Sequence, residues 1–104
     1  AWEALLWAND NMAALAGRKV PLLVAGDSAG GNLIAMVCLR AREGRDPPIQ
    51  GQVLFYPVTA HYEPPTPSYR EFAQGYFLTR KGMKWFWDQY VPEVAKRAEP
   101  TASP

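Results

Sequence analysis

The chain of 104 residues has one cysteine, one histidine and a formal net charge of +1, from eleven Lys and Arg against ten Asp and Glu. Each scarcity excludes something. A lone Cys38 can form neither an internal disulfide nor a cysteine-based metal cluster. A near-neutral balance leaves no field to gather phosphates or anionic headgroups, which argues against nucleic-acid and membrane-surface partners. The longest apolar stretches, residues 20–26 and 53–56, fall far short of the roughly 20 residues that a membrane-spanning helix needs. The chain opens at Ala1 with neither an initiator Met nor a basic-then-apolar leader, so a targeting segment is expected to have been removed or to lie outside this sequence. The compartment stays open, with the cytoplasm as the favoured reading, and the oligomeric state is unwritten.

What is present is ordinary globular material, 48% hydrophobic and 20% charged. Its periodicity changes along the chain. In residues 1–16, rich in Ala and Leu, Trp2, Leu5 and Leu6 share a helical face and Met12 and Leu15 repeat the spacing, so a helix ended by Gly17 is predicted. Residues 20–25 form a continuous apolar run, which predicts a strand buried on both faces with Pro21 tolerated at its start. After a turn over residues 26–31, Leu33, Ile34, Val37 and Cys38 define the apolar face of a helix over about 30–43, closed by Gly44. Residues 45–49 read as a polar, Pro-containing connection, and residues 51–56 as a second buried strand cut off by Pro57. Strand, helix and strand in that order make a βαβ unit, hence an α/β class with a parallel sheet. Residues 57–75 shift to Pro, Tyr, Glu and Ser without periodicity, an excursion out of the sheet. Thr79 can cap a last helix running to about Tyr90, which Pro92 stops, and residues 95–104 are small, charged and Pro-rich.

One motif carries chemistry. Gly26-Asp27-Ser28-Ala29-Gly30 fits Gly-x-Ser-x-Gly and lies where the first strand ends and the helix begins. A serine hydroxyl is a poor nucleophile unless it protrudes toward a base, and a sharp, strained strand-to-helix turn makes it protrude. Such a turn brings strand and helix so close that side chains two residues before and two after the serine are expected to collide, hence Gly26 and Gly30. The helix starts just behind Ser28, so the Ala29 N–H and the positive end of the helix dipole face the place where an oxyanion would form, with Ala29 and Gly31 small enough to leave the approach open. With Gly at about 7% of residues and Ser assumed similar, the bare pattern arises by accident in about 3% of chains this long. Alone it is weak, but a buried strand before it, an amphipathic helix after it and a second buried strand next in line make accident implausible. The plainer alternative is a glycine-rich turn that only packs or cradles a phosphate.

Gly26-Asp27-Ser28-Ala29-Gly30-Gly31-Asn32-Leu33, then Leu54-Phe55-Tyr56-Pro57, then Gly75-Tyr76-Phe77-Leu78-Thr79 with Trp85-Phe86-Trp87-Asp88-Gln89-Tyr90, resembles the bacterial hormone-sensitive-lipase-like carboxylesterases. The likeness runs in order over essentially the whole chain. It implies an α/β-hydrolase fold and action on carboxylic esters without metal or cofactor, with Ser28 as nucleophile and the Ala29 N–H as one oxyanion donor. It further implies that residues 1–60 are the central part of the catalytic domain with the elbow, 61–98 a segment of the cap over the acyl pocket, and 99–104 the return toward the catalytic domain.

The departures matter as much. Members of that family carry a His-Gly-Gly motif upstream, which this sequence lacks, and an acid and then a histidine downstream, whereas this sequence stops at Ser103-Pro104, which resembles the segment just before the strand leading to that acid. The resemblance thus implies the middle of an esterase, about a third of one, expected to be inactive by itself. His61 follows the second strand inside the Pro-rich excursion, and a solvated loop histidine is the expectation rather than a base for Ser28. Asp27 reads as structural, Asp88 as the polar face of the last helix, and Cys38 as a small buried hydrophobe. Phe72, Tyr76, Phe77, Trp85, Phe86 and Trp87 are expected to form an aromatic cluster that packs the cap, within which Tyr76 and Phe77 are candidates to line the acyl pocket. Pro64 to Pro67 reads as a stiff loop rather than a ligand for a Pro-binding domain. Two functions follow: an ester hydrolase acting through Ser28 on short to medium acyl esters, or a non-catalytic small-molecule receptor on the same fold, as in the plant gibberellin receptors that resemble this family and lack a working triad.

Overall fold

The computed structural model describes residues 1–44 and 46–104, so the first residue of the expected 45–49 connection lies outside the described residues. The chain divides into two compact units, residues 1–58 and 59–104.

In the first unit, α1 (Trp2–Asp10) and α2 (Met12–Ala16) replace the single helix that the Ala- and Leu-rich periodicity predicts. The break falls at Asn11, whose side-chain Nδ2 donates to the Trp7 carbonyl at 2.8 Å. Asn side chains compete in this way for helical backbone partners, which is why the residue marks ends and breaks. Gly17 closes α2 in the left-handed conformation, with φ 72°.

Strand β1 (Leu22–Asp27) pairs in parallel with β2 (Ile49–Phe55), and the long helix α3 (Ser28–Gly44) crosses between them. This is the βαβ unit of the α/β class. The strands differ from expectation in their burial: residues alternate between half-buried and exposed, and Leu23, Val53 and Phe55 are 66%, 50% and 54% exposed. The cause is that α3 packs on one face of the pair, and among the described residues no other helix of this unit makes comparably extensive contact with it. The continuous apolar run is a pattern for a sheet covered on both sides. Val37 and Ala41 of α3, Leu5 of α1 and Pro47 are buried apolar side chains of this unit. The guanidinium of Arg40 lies 4.3 Å from the Trp2 ring centroid, a cation–π contact joining α3 to α1.

In the second unit, α4 (Pro67–Glu71) interrupts a stretch expected to be irregular, and α5 (Arg80–Tyr90) is the expected last helix. Both are capped by threonine: the Thr66 and Thr79 hydroxyls accept from the N–H groups of Tyr69 and Gly82, at 3.4 and 3.0 Å. Thr-Pro at the cap and first helical position is a start signal that the Pro-rich composition of the segment masks. Trp87 on the inner face of α5 is buried, as are Tyr62, Ala102 and, unusually, Arg97. A short 3₁₀ turn, Val94–Lys96, leads into Arg97. None of the described helices is long and apolar enough to cross a membrane, and no group of three or more His, Cys, Asp or Glu among the described residues could hold a metal ion.

Candidate active site

Ser28 sits where β1 ends and α3 begins, and its φ is 51°. A left-handed conformation costs a residue with a side chain roughly 1–2 kcal/mol, so the surroundings must hold it. The close approach needed for the turn falls on Gly26: a Cβ there would lie 2.5 Å from the Gly30 carbonyl oxygen and 2.9 Å from the Gly31 nitrogen. No side chain fits that gap.

One expectation is corrected at the neighbouring glycines. A Cβ at Gly30 would meet only the Asp27 Oδ1, at 3.9 Å, which is ordinary contact, so the collision rests on Gly26 alone. Gly31 carries a constraint that its place beside the serine does not announce. A Cβ there would lie 2.8 Å from the Cβ of Pro57, so its bareness lets the loop after β2 press onto the first turn of α3.

That loop is tied down by two bonds to one residue. The Val58 N–H donates to the Ser28 carbonyl at 3.2 Å, and the Asn32 side-chain Nδ2 donates to the Val58 carbonyl at 2.7 Å. Asn32 is 3% exposed. Tyr56, the first residue of the loop, has φ 36°. Asn32 and Tyr56 fall within the motifs quoted above, yet pattern reading gave them no role. The only available signal was a polar residue on the buried side of an amphipathic helix.

Ala29 and Gly30 occupy the first turn of α3, where N–H groups have no intrahelical acceptor and the helix dipole is positive. Ala29 is exposed, Ser28 half-buried and Asp27 exposed. The turn therefore presents a hydroxyl and a first-turn helix N–H at the carboxyl end of a parallel strand, the place where α/β sheets bind ligands. An open groove of about 360 Å³, lined among others by Cys38, Arg42, Pro47 and Gln52, lies at the other end of the unit, against the start of β2, and has no part in this arrangement. Cys38 itself is half-buried, and burial raises its thiol pKa.

Tyr76 and Phe77 belong to the second unit, in the turns before α5, and are 61% and 101% exposed. The six aromatics expected as one cluster divide into separate groups. Phe72 meets Tyr76 edge-on with centroids 5.1 Å apart, Trp85 meets Phe86 likewise, and Trp87 turns to His61 and Tyr90. The helical period explains this: neighbours on α5 point in different directions, so Trp87 is buried while Trp85 and Phe86 face outward.

His61 is not the solvated loop residue expected from its sequence position. It is 9% exposed, packed edge-on against Tyr62 and tilted against Trp87. Its Nδ1 accepts from the Glu63 backbone N–H at 3.1 Å, while the His61 backbone N–H donates to the Ser103 hydroxyl. Burial lowers its pKa, as does the nearby charge of Arg97, with Glu63 acting the other way. The imidazole is packed within its own unit, with Nδ1 already engaged by a backbone N–H. Asp88, read as simply polar surface, bridges Lys84 and Arg97 at 2.6 and 3.0 Å.

The sequence matches the alpha/beta hydrolase fold family over residues 1–104. The chain belongs to that family, in its hormone-sensitive-lipase-like branch. It is similar to the carboxylesterase NlhH of Mycobacterium tuberculosis, 41% identical over 91 residues, which cover 88% of this chain and 28% of that protein. The gibberellin receptor GID1C of Arabidopsis thaliana is 33% identical over 99% of this chain and 30% of its own. Among solved structures, an esterase of the fungus Rhizomucor miehei superposes with a TM-score of 0.85 at 46% identity, covering 99% of this chain and 32% of its own. The chain thus spans about a third of the length of the relatives it matches.

Proposed function

We propose that the complete protein carrying this segment is a carboxylic ester hydrolase acting by acyl transfer through Ser28. The observation that carries the reading is the left-handed Ser28 at the strand-to-helix turn, φ 51°, with the Ala29 N–H beside it at the start of α3. In this chemistry the Ser28 Oγ attacks the ester carbonyl carbon as its proton passes to a base. The carbonyl oxygen becomes an oxyanion facing the Ala29 N–H, and the alcohol leaves with a proton to give an acyl-serine. Water then repeats the sequence, releasing the acid and restoring the hydroxyl. The family resemblance assigns base and orienting acid to the part of the fold that follows this segment, and the other oxyanion donors to the part before it. The similarity to esterases at 41–46% identity supports the reaction class.

Residues 1–60 are read as catalytic domain and 61–98 as cap segment, with Tyr76 and Phe77 as contacts for the acyl group. Bulky aromatics shorten a pocket, which favours short to medium acyl chains. The second reading, a small-molecule receptor without turnover, is favoured by the likeness to a gibberellin receptor, which extends over 99% of the chain. A series of p-nitrophenyl esters distinguishes the two. Turnover that peaks at short to medium acyl length and vanishes in Ser28→Ala supports the hydrolase, and no turnover by the folded wild-type protein supports the receptor.

A further inference from the structure

A strained nucleophile needs something to hold it, and the covalent geometry of the elbow does not identify what does. The Ser28 carbonyl is bonded to the Val58 N–H at 3.2 Å, and the carbonyl of the same Val58 is bonded to the Asn32 Nδ2 at 2.7 Å. The Val58 residue is thus fixed at its N–H by the residue whose φ is strained, and at its C=O by a side chain one turn further along the same helix. Gly31 lets Pro57 close against the helix between these two attachments, and Asn32 is almost wholly buried. A buried amide is costly unless its hydrogen bonds are made, and a chain fixed at both ends of one residue has little freedom to slide.

On the reading of Ser28 as an acyl-transfer nucleophile, we infer that Asn32 is a positioning residue for the reaction: through Val58 it clamps the Ser28 backbone, and so fixes where Oγ meets the acyl carbon. Asn32 is too deeply buried to serve as a surface contact, and its side-chain Nδ2 is directed at the Val58 backbone carbonyl. Its effect on the reaction is therefore one of geometry, and geometry errors on the order of 1 Å at a reacting centre cost about a hundredfold in rate.

The test uses the complete protein, with active sites counted by a fluorophosphonate so that rates refer to folded molecules. Asn32→Asp keeps the shape and replaces the donor by a carboxylate facing a carbonyl. Per titrated site, kcat should fall ~10- to 100-fold at neutral pH with KM within about twofold, because the interaction lost acts on the transition state and not on substrate binding. Burial raises the pKa of the introduced carboxyl, and its protonated form donates again. The ratio of variant to wild-type kcat should accordingly climb as pH falls, a recovery that a purely structural defect would not produce. Gly31→Ala, which pushes Pro57 away, should reproduce the kcat loss without that pH-dependent recovery. Wild-type kcat in Asn32→Asp, a KM rise without kcat loss, or a variant with no titratable sites would each overturn the positioning role. A wild-type protein that reacts with no fluorophosphonate would instead overturn the reading of Ser28 itself.

Discussion

Ser28 and Tyr56 each directly follow the last paired residue of a parallel strand, after Asp27 and Phe55, and both have positive φ, 51° and 36°. Two neighbouring strands therefore leave the sheet through left-handed residues that carry side chains. One such residue is strained; two at the same edge mark the place where the fold gives up stability for geometry. Replacing Ser28 by Gly relieves its strain, whereas Ala keeps it. Ser28→Gly in the complete protein should unfold at higher denaturant than Ser28→Ala, by about 1 kcal/mol, while both lose turnover by ~10⁴-fold or more. Equal stability of the two variants would show that the turn is not strained.

The glycines of the motif are not equivalent. Gly26→Ala places a methyl against the Gly30 carbonyl, where backbone must move, and should cost about 1–3 kcal/mol together with most activity. Gly30→Ala meets ordinary contact and should leave the fold within about 0.5 kcal/mol of wild type. Chemical denaturation of the two variants, run side by side, checks the ordering.

The βαβ order, the elbow and the start of α5 were legible in the sequence because each is a local event: a change of hydrophobic period, a glycine, a threonine before a helical run. What escaped reading depends on partners distant in the chain. Asn32 and Val58 meet across a crossover, so neither residue type nor spacing announces the bond. His61 looked like a loop residue because its burial comes from Trp87 and Tyr62, packed on it by the fold. Arg97, in a tail that reads as small, charged and Pro-rich, is 1% exposed, its guanidinium bonded to the Tyr62 hydroxyl, Asp88 and the Val91 carbonyl. Composition can locate a charge but not its counterpart.

The Arg97 network gives the second unit a measurable weak point. Arg97→Met leaves the Val91 carbonyl and the Tyr62 hydroxyl without that partner, while Asp88 keeps Lys84 and partial solvent, so the expected cost is about 1–3 kcal/mol. The Lys84 hydrogen bond, followed by that of Arg97, holds the Asp88 carboxyl below its usual pKa against an opposing effect of burial. A depressed carboxyl stabilises the fold above the ordinary value near 3.9, and this is lost as pH falls through the lowered value. Asp88→Asn should therefore flatten the acid limb of a stability profile, read by urea melts at several pH values.

His61 supplies a pH response in a different window. Its pKa is lowered by burial and by Arg97, so the unfolded chain takes up a proton near pH 6.5 where the folded one does not. The resulting stability is full above that pH and is lost as pH falls through the depressed folded value. His61→Gln should reduce the fall in stability between neutral and mildly acid pH, with ester turnover within about tenfold of wild type because the imidazole is assigned no step in acyl transfer. Turnover abolished in a folded His61→Gln protein would contradict its structural assignment.

The central claim is that Ser28 is the nucleophile of an acyl-transfer enzyme, and the most direct measurement is the mass of the complete protein after reaction with a fluorophosphonate, followed by peptide mapping. The account predicts one adduct per chain, on the peptide that contains Ser28, absent in Ser28→Ala and slowed by competing short-chain ester. A folded wild-type protein that forms no adduct, yet binds a small carboxylic acid tightly, would contradict it and make the molecule a receptor.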